Sequence, residues 1–376
     1  MQRVDAIVVG VGGMGSAAVY HLAKRGVEVL GLERFDIPNA EGSSHGVNRI
    51  IRLAYWEDPA YVPLLRRAYE LWRELEHVSG DRILVITGSV DAGPPGCQTL
   101  DGALHSCDLH HLPHELLSAG ALTERYPGYR LPDGMQAVYQ PEGGFVLSEQ
   151  AICAHVAAAQ SLGAEVHARE AVQSIRPAGG GYLVQTDRGE YRAERVVLTA
   201  GPWLGKFLPQ LAPLALPERQ VLLWAQPTLP EQFALGRFPV FNMEGDDGRF
   251  YGFPVYGIPG FKIGRYHHLE EVQDPDRVDR EIHPRDEEVL RSAIRRYFPA
   301  ADGPTMSLRT CLFTNTPDSH FLLGLHPSLE RFVIAGGFSG HGYKFASVMG
   351  EILADLAMDG KSPFDLSLFR LDRFAN

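Results

Sequence analysis

The chain opens with a pattern of apolar and small residues that predicts a strand, a turn, a helix and a second strand. Residues 6–9 form a continuous apolar run, which is typical of a strand buried on both faces of a parallel sheet. Gly10, Gly12 and Gly15 follow, and small residues at 16–18 continue into a helix predicted over 13–25. A second apolar run at 27–32 predicts the next strand, so the order is that of a Rossmann-type parallel sheet.

The periodicity changes several times further along the chain. Apolar positions from Tyr61 to Leu75 recur at helical spacing and predict a packing helix that ends near Gly80. Residues 82–147 indicate short strands and turns, with poor helical amphipathicity, whereas 149–163 are typical of a helix. Strands follow to residue 201, 214–320 is again rich in strands, and 331–360 repeats the opening order of strand, glycine loop and helix.

Composition and charge narrow the possible functions. The chain has 376 residues, 45% of them hydrophobic and 22% charged, which is typical of a two-domain globular protein. Lys and Arg total 35 against 46 Asp and Glu, and a net charge of −11 argues against general binding to nucleic acid or anionic membranes. No apolar run is long enough to cross a bilayer, and the four cysteines lack a Cys-x-x-Cys spacing, so we expect a cytoplasmic protein.

The glycine turn predicts a dinucleotide site. Gly10 permits the tight turn, Gly12 lets a pyrophosphate approach the backbone, and Gly15 lets the helix pack closely on the strand. The N-terminus of the helix offers free N–H groups and the positive end of its dipole to a phosphate. Glu33 ends the second strand, where a carboxylate accepts hydrogen bonds from an adenosine ribose and repels a 2′-phosphate. The motif therefore favours FAD or NAD over NADP.

Two other stretches place cations among apolar residues. His45, Arg49 and Arg52 interleave with apolar positions at 50–53, so we expect anionic partners for the arginines; the pattern fits either a helix or a strand. In a strand over 261–267, Lys262 and Tyr266 would face one way and the residues between them would alternate to the other side. A lysine between Phe and Ile is expected to be partly buried.

The carboxyl ends of two later strands are expected near the same ligand. Ala200, Gly201 and Trp203 follow a buried strand, and the glycine loop at 336–342 carries His341 and Lys344 close to a helix start. Positive charge there suits an anionic flavin or a substrate carboxylate. A His-rich stretch at 105–114 matches no closed Cys/His zinc pattern, so we predict no metal site.

Five motifs together resemble the monomeric sarcosine oxidase family of flavoprotein amine oxidases, which also contains N-methyltryptophan oxidase. They cover nearly the whole chain in the family's order: VVGVGGMGSAA near the start, GSSHGVNRIIR at 42–52, YGFP with the following KIGRYHH, CLFTNTPDSHF at 311–321 and AGGFSGHGYKF at 335–345. The resemblance implies FAD, with a thioether between the flavin and Cys311. It also implies that His45 and Arg49 lie close to the flavin, and that Arg52 and Lys344 hold the carboxylate of an N-methyl amino acid.

The same resemblance implies roles for three residues of the second strand-rich segment. Tyr251 and His267 match residues that line the substrate site, and Lys262 matches a lysine that activates oxygen by stabilising superoxide as it forms. Two departures bear on the substrate. Phe313 stands where the sarcosine oxidases carry Tyr, and one extra residue separates Lys262 from His267.

The predicted site comprises catalytic, substrate-binding and cofactor-binding residues. The predicted catalytic residues are Lys262, His267, Arg49 and His45, and the predicted substrate-binding residues are Arg52, Lys344 and Tyr251. The predicted cofactor-binding residues are Gly10, Gly12, Gly13, Met14, Gly15, Glu33, Arg34, Ser43, Ser44, His45, Arg49, Ile50, Val172, Ala200, Gly201, Trp203, Cys311, Gly337, Phe338, Gly340, His341, Gly342, Tyr343 and Lys344.

We therefore expect an α/β protein with a Rossmann-type FAD-binding domain, at 1–80, 148–213 and 321–376, and a mixed-sheet substrate domain at 81–147 and 214–320. The expected activity is oxidation of a secondary amine bearing a carboxylate, with O2 reduced to hydrogen peroxide. Proline, pipecolate or sugar-modified amino acids are alternative substrates, and a flavin dehydrogenase or a non-catalytic flavin subunit are alternative functions. The expected partners are the amine and O2, without nucleic acid or membrane, and the expected state is a monomer.

Overall fold

The computed structural model describes residues 1–374, and it confirms the predicted α/β class. The helices are α1 Gly13–Lys24, α2 Val62–Ser79, α3 Gln98–His110, α4 Ala119–Arg125, α5 Ser148–Ser161, α6 Leu204–Phe207, α7 Pro284–Tyr297 and α8 Ala346–Asp359. The strands are β1 Gln2–Val9, β2 Val29–Leu32, β3 Asn48–Ile51, β4 Leu84–Ile86, β5 Ser89–Gly93, β6 Glu115–Ser118, β7 Gln136–Gln140, β8 Gly144–Leu147, β9 Glu165–His167, β10 Val172–Ala178, β11 Gly181–Thr186, β12 Glu190–Leu198, β13 Leu216–Ala225, β14 Val240–Gly245, β15 Gly248–Phe253, β16 Phe261–Arg265, β17 Thr305–Asn315, β18 Leu322–Leu325 and β19 Phe332–Gly336.

One eight-stranded sheet has the order β10-β11-β12-β1-β2-β9, with β19 beside β12 and β18 beside β19. β1 pairs in parallel with both β2 and β12, and β12 pairs in parallel with β19. The carboxyl ends of these strands therefore meet at one edge of the sheet, where a doubly wound fold binds its ligand. α1 and α8 cover this sheet, and they pack so closely that a Cβ at Gly350 would lie 2.5 Å from the Ala17 backbone.

A second eight-stranded sheet has the order β17-β13-β16-β15-β14-β5-β7-β6. β16 pairs with β15 so that Lys262 lies opposite Phe253 and Gly264 opposite Tyr251. Phe261 and Ile263 point instead into the apolar core beneath α7, which confirms the predicted alternation within β16; the strand ends at Arg265, two residues short of the predicted end. The ladder therefore places Lys262 on the face that looks towards the first sheet.

A small three-stranded sheet, β3-β8-β4, contains part of the 45–52 segment, for which the sequence fitted either a helix or a strand. Residues 48–51 form a strand, so the side chains of Arg49 and Arg52 diverge rather than sharing a helical face. β3 pairs with β8 in antiparallel register, with Arg49 opposite Val146. This small sheet thus directs the two arginines to different surroundings.

Residues 82–147 differ from the prediction because they include two helices, α3 and α4. α3 buries the polar residues Thr99 and Ser106 along with Leu100 and Cys107. Because its buried face mixes polar and apolar residues, the sequence shows no apolar helical periodicity there. All strands of the first large sheet come from 1–80, 148–213 and 321–376, and those of the second from 81–147 and 214–320. The domain boundaries themselves stay a prediction. Among residues 1–374, no helix combines the length and apolar character that a bilayer crossing requires.

Candidate active site

A cavity of about 330 Å³, here called the long cavity, runs from the glycine turn along the edge of the first sheet. Its volume lies within the range of ligand pockets. It takes lining residues from α1, the loop after β2, the loop after β12 and the loop after β19. The predicted cofactor residues that line it are Gly10, Gly12, Gly13, Met14, Glu33, Arg34, Ser43, Ser44, Arg49, Val172, Ala200, Gly201, Trp203, Gly337, Phe338, Gly340, Gly342 and Tyr343.

The glycine turn leaves room for a phosphate at the start of α1. Gly10 has φ +91°, and a Cβ at Gly15 would lie 1.8 Å from the Gly10 carbonyl oxygen, so both positions need glycine. A Cβ at Gly13 would lie 2.7 Å from the Tyr343 ring, whereas Gly12 faces nearly open space. The N-cap, Gly12, supplies no side-chain cap, the first turn holds no acidic residue, and Ser44 Oγ accepts from Gly13 N at 3.3 Å. These features fit a pyrophosphate on the backbone.

The adenosine end of the long cavity carries a fixed carboxylate. Glu33 Oε2 accepts from Val11 N at 2.8 Å and Oε1 accepts from Phe35 N at 3.0 Å. Burial raises the pKa of Glu33 against the lowering effect of these N–H groups. Each oxygen retains a lone pair for a ribose hydroxyl. Together with the turn, this carboxylate shows that the residues fit FAD.

The mouth of this end contains a stacked group of which the sequence predicted Arg34 and Trp203 as cofactor-binding residues but not Asp276. Arg34 lies over the rings of Phe35 and Trp203, at 5.1 and 5.7 Å from their centroids. Asp276 accepts from both Arg34, at 2.6 Å, and Trp203 Nε1, at 2.8 Å. Asp276 lies in the segment between β16 and α7, so part of the second strand-rich region closes over the nucleotide crevice.

A buried thiol, Cys311, lies behind the lining residue Arg49 at the other end of the long cavity, and it lines neither cavity itself. Arg49 Nη2 donates to Cys311 Sγ at 3.4 Å and to the Ser43 carbonyl oxygen at 3.0 Å. Neither ring nitrogen of the buried His45 has a hydrogen-bond partner within residues 1–374. Burial by itself would raise the pKa of Cys311, but His45 and Arg49 outweigh it and lower this pKa from 9.0 to about 6. The two cationic neighbours thus favour the thiolate form of Cys311.

A second cavity, here called the small pocket, opens at the same place. It shares Arg49, Phe313, Gly340 and Tyr343 with the long cavity, and its other lining residues are Ile50, Tyr251, Phe253, Tyr266, His341 and Lys344. Lys344 Nζ donates to the His341 carbonyl oxygen at 2.7 Å, and burial lowers the pKa of Lys344 to about 7. The small pocket thus combines aromatic walls with a buried amine that can pair with a carboxylate.

His341 is held in its neutral form. Its Nε2 lies 2.8 Å from the Ser319 carbonyl oxygen, so that nitrogen carries the proton. Its Nδ1 then accepts from the Tyr55 hydroxyl at 2.6 Å. Burial lowers the pKa of His341 to about 4. The positive charge predicted for this loop therefore comes from Lys344 and not from His341.

Arg52 lines neither cavity and is already paired with carboxylates. Its Nη2 donates to Glu57 Oε2 at 2.8 Å, and its Nε lies 3.5 Å from Asp91 Oδ1. Asn242 Nδ2 donates to the same Asp91 oxygen at 2.9 Å. We call Arg52, Glu57, Asp91 and Asn242 the Arg52 cluster. The two residues predicted to hold the substrate carboxylate are thus separated. Lys344 reaches the small pocket, whereas Arg52 lies next to it and is paired with other carboxylates.

Lys262 also lies behind the cavity walls. Its Nζ donates to the Gly46 carbonyl oxygen, the Asn48 carbonyl oxygen and Asn48 Oδ1, each at 2.8 Å. Burial lowers the pKa of Lys262 well below its usual value. Three acceptors match the three hydrogens of a protonated ammonium, and the Phe253 ring lies 4.2 Å from the nitrogen. These acceptors fix the amine beneath the backbone of the 46–48 loop and stabilise its protonated form against the effect of burial.

The structure brings Tyr266, rather than His267, to the small pocket. The Tyr266 ring lies 5.0 Å from that of Tyr251, and its hydroxyl donates to Asn242 Oδ1 at 3.2 Å. His267 follows with φ +52° and a side chain that is 50% exposed, and its Nδ1 lies 3.0 Å from Glu218 Oε2. The predicted place of His267 at the substrate site is therefore corrected. Both residues follow the end of β16 at Arg265, and His267 is directed to Glu218 rather than to the small pocket.

Several site residues were missed by the sequence analysis, and their signals differ. Tyr266 was available from the strand alternation, which placed it with Lys262. Glu57 and Asp91 gave no signal, because a single acidic residue in a loop or a short strand is ordinarily exposed. Asn242, between Phe241 and Met243, likewise gave no sign in the sequence of its place in the site. Such buried polar partners become visible only when separate elements are packed together.

Comparison with known proteins gives a consistent result. The family described as FAD dependent oxidoreductase matches residues 5–356. The chain is 40% identical to the monomeric sarcosine oxidase of Bacillus sp. (strain NS-129), over 99% of this chain and 97% of the relative. It is 35% identical to the N-methyl-L-tryptophan oxidase of Escherichia coli O127:H6 (strain E2348/69 / EPEC), over 99% of this chain and 100% of the relative. The solved structure of NikD, described as an unusual amino acid oxidase essential for nikkomycin biosynthesis, superimposes with a TM-score of 0.85 at 27% identity, over 98% of both chains.

Proposed function

The chain belongs to the FAD-dependent oxidoreductase family, within the branch of the monomeric sarcosine oxidases, and we propose that it oxidises an N-methyl amino acid such as sarcosine. The product is an imine, which water hydrolyses to an aldehyde and a primary amine. The observation that carries the proposal is the junction of the two cavities at Arg49, Phe313, Gly340 and Tyr343. A flavin at the end of the long cavity would face an amine held in the small pocket.

The residues present supply binding and orientation. When bound, FAD accepts a hydride equivalent from the carbon next to the substrate nitrogen and passes two electrons to O2, which yields hydrogen peroxide. Lys344 pairs with the substrate carboxylate, and the rings of Tyr251, Tyr266 and Phe313 exclude water around the reacting carbon. Arg49 lies at the junction and holds positive charge beside the isoalloxazine site.

Oxygen as the electron acceptor is supported by Lys262. A cation held by three backbone and side-chain acceptors stabilises superoxide as it forms, and its fixed position avoids reorganisation during the reaction. This favours an oxidase over a flavin dehydrogenase that passes electrons to a carrier. The buried Lys344 within the small pocket likewise favours a catalytic protein over a flavin-bearing subunit without its own substrate.

We also propose that Cys311 forms a thioether with the flavin. The sulfur bonds to a ring-methyl carbon; one hydrogen leaves the thiol and one leaves that carbon, and O2 accepts both with two electrons as hydrogen peroxide. The support is a thiol whose pKa is lowered to about 6 next to Arg49 at 3.4 Å. The four free cysteines, Cys97, Cys107, Cys153 and Cys311, support a reducing compartment, and we keep the cytoplasm and a monomeric state as proposals.

An anaerobic titration of the purified holoenzyme tests the function. Sarcosine, other N-methyl amino acids, proline and pipecolate are added in turn while the flavin absorbance is followed. We expect sarcosine or another N-methyl amino acid to bleach the flavin, and O2 to restore the absorbance with one hydrogen peroxide per cycle. Bleaching by proline or pipecolate alone, or by none of these amines, would overturn the proposed substrate class. Restoration without hydrogen peroxide would overturn the assignment as an oxidase.

A further inference from the structure

A segment of the second strand-rich region crosses to the nucleotide edge of the first sheet. Residues 271–281, here called the strap, lie between β16 and α7, and Asp276 at their middle lines the long cavity. Its carboxylate contacts Arg34, from the loop after β2, and Trp203, from the loop after β12, which line the same cavity. The strap therefore forms part of the wall at the adenosine end, although its chain neighbours belong to the other sheet.

The base of the strap is fixed to the second sheet. Gln273 N donates to the carbonyl oxygen of Pro217, on β13, at 2.9 Å. The buried Arg219, also on β13, donates through Nε to the Asp279 carbonyl oxygen at 2.7 Å and through Nη2 to the Glu281 carbonyl oxygen at 2.6 Å. Hydrogen bonds from a charged donor are strong, so both ends of the strap are held on the second sheet.

The tip of the strap reaches the first sheet through partly exposed polar side chains. Asp276 Oδ1 accepts from Arg34 Nη1 at 2.6 Å and from Trp203 Nε1 at 2.8 Å. Asp274 Oδ2 accepts from Lys206 Nζ, on α6, at 2.8 Å. The four charged side chains are between 37% and 48% exposed, so water and salt screen their attraction. Each contact is therefore weak by itself, unlike those at the base.

A further contact ties the strap to the loop beside the glycine turn. Arg280 Nη2 donates to the Glu41 carbonyl oxygen at 2.7 Å and lies 2.9 Å from Glu41 Oε2. Glu41 precedes Ser43 and Ser44, which line the long cavity, and Ser44 Oγ accepts from Gly13 N at the start of α1. The strap is thus attached to two loops that line the cavity, one at the adenosine end and one at the pyrophosphate end.

We propose that the strap is a lid over the adenosine end of the cofactor cavity, which opens to admit or release FAD while its base stays fixed. Weak, salt-screened contacts at the tip let it detach without disturbing the second sheet. Protein groups alone make these contacts, so weakening them should speed entry and exit of FAD in parallel. The inference concerns exchange of the cofactor, and it holds whichever amine is the substrate.

Two substitutions weaken the tip and keep its hydrogen-bond acceptors. Asp276→Asn removes the charge beside Arg34 and retains an oxygen for Trp203. Asp274→Asn removes the charge beside Lys206, and Asp274 does not line the long cavity. A change of rate in this second variant is therefore not a lost contact with FAD.

The measurements use Cys311→Ser as the background, so that bound FAD stays free to exchange. Entry is followed by mixing apoprotein with FAD in a stopped-flow instrument and recording flavin fluorescence. Exit is followed by exchanging isotope-labelled FAD on the holoprotein against excess unlabelled FAD and counting the label retained. The control is Asp246→Asn, which removes the same charge outside the strap, from a side chain that is 90% exposed.

We expect Asp276→Asn to speed both entry and exit about fivefold and Asp274→Asn to speed both about threefold, with FAD affinity within about twofold of the background. Raising the salt concentration about tenfold should speed exchange in the background and have less effect when both substitutions are combined. Unchanged rates in both variants would overturn the proposal, as would equal acceleration in the control. Faster exit with unchanged entry would also overturn it, because that result would assign the strap to direct binding of FAD.

Discussion

Replacing Arg49 with Gln should slow the attachment of flavin to Cys311. The Arg49 guanidinium lies 3.4 Å from the sulfur, and it is one of two groups, with His45, that lower the pKa of the thiol. Glutamine can still donate to the Ser43 carbonyl oxygen, so the loop keeps a polar contact while the charge is lost. The substitution therefore isolates the electrostatic contribution to thiolate formation.

The magnitude follows from the two pKa values. With a pKa of about 6, roughly nine in ten Cys311 side chains are thiolates at pH 7, whereas at the ordinary value of 9.0 roughly one in a hundred is. Because burial alone would keep this pKa at or above 9.0, loss of both neighbours would slow attachment at least about 100-fold, and loss of Arg49 alone should slow it about tenfold. Because the thiolate is lost as pH falls through about 6, wild-type attachment should also slow about tenfold between pH 7 and pH 5. In the variant this midpoint moves to higher pH.

Attachment can be followed by mixing apoprotein with FAD, precipitating samples in acid at intervals and measuring the flavin that stays with the protein. Cys311→Ser should retain none. Cys153→Ser removes an exposed thiol and should behave as wild type. A wild-type rate in Arg49→Gln, with an unchanged pH midpoint, would refute the thiolate argument. Equal FAD affinity in the variant and wild type, measured by fluorescence quenching, separates slow attachment from weak binding.

Three further predictions concern oxygen, substrate and packing. Lys262→Met should slow reoxidation of reduced flavin by O2 about 100-fold with little change in anaerobic reduction, and stopped-flow absorbance that shows both steps slowed equally would contradict the oxygen role. Tyr266→Phe should raise KM for the amine several-fold, whereas His267→Ala should leave KM within twofold; the reverse order in steady-state assays would restore His267 to the substrate site. Gly340→Ala should lower the free energy of unfolding by about 1–3 kcal/mol, because a Cβ there would lie 2.4 Å from the Phe313 ring at φ +77°. Urea unfolding should show that loss, and a Phe313→Leu background should recover part of it; no loss in the single variant would show that the loop relaxes freely.

The nucleotide half of the site was predictable because it depends on local chemistry. A glycine turn after a buried strand, and a carboxylate at the end of the next strand, act through backbone geometry that three or four neighbouring residues determine. The structure accordingly lines the long cavity with Gly10, Gly12, Gly13 and Glu33. The Arg34, Trp203 and Asp276 group at its mouth was only partly foreseen, since Asp276 arrives from a distant segment of the chain.

The substrate half of the site was harder to predict because strand alternation and similarity to relatives pointed to different residues after β16. Alternation along β16 placed Tyr266 with Lys262, whereas similarity to relatives matched His267 to a substrate-site residue. β16 ends at Arg265, so the turn that follows, with His267 at φ +52°, decides which of the two side chains reaches the small pocket.

Neither strand alternation nor similarity to relatives predicted which charged groups are buried. Asp91 sits in a five-residue strand with Val90 and Ala92 on either side, and nothing in that pattern reveals that Arg52 and Asn242 approach from two other elements. Burying any one of these groups alone would cost free energy, so their burial is explained only by the contacts among all three. The chain departs from a simple pair of carboxylate-binding cations through that set, because Arg52 is already paired with Glu57 and Asp91.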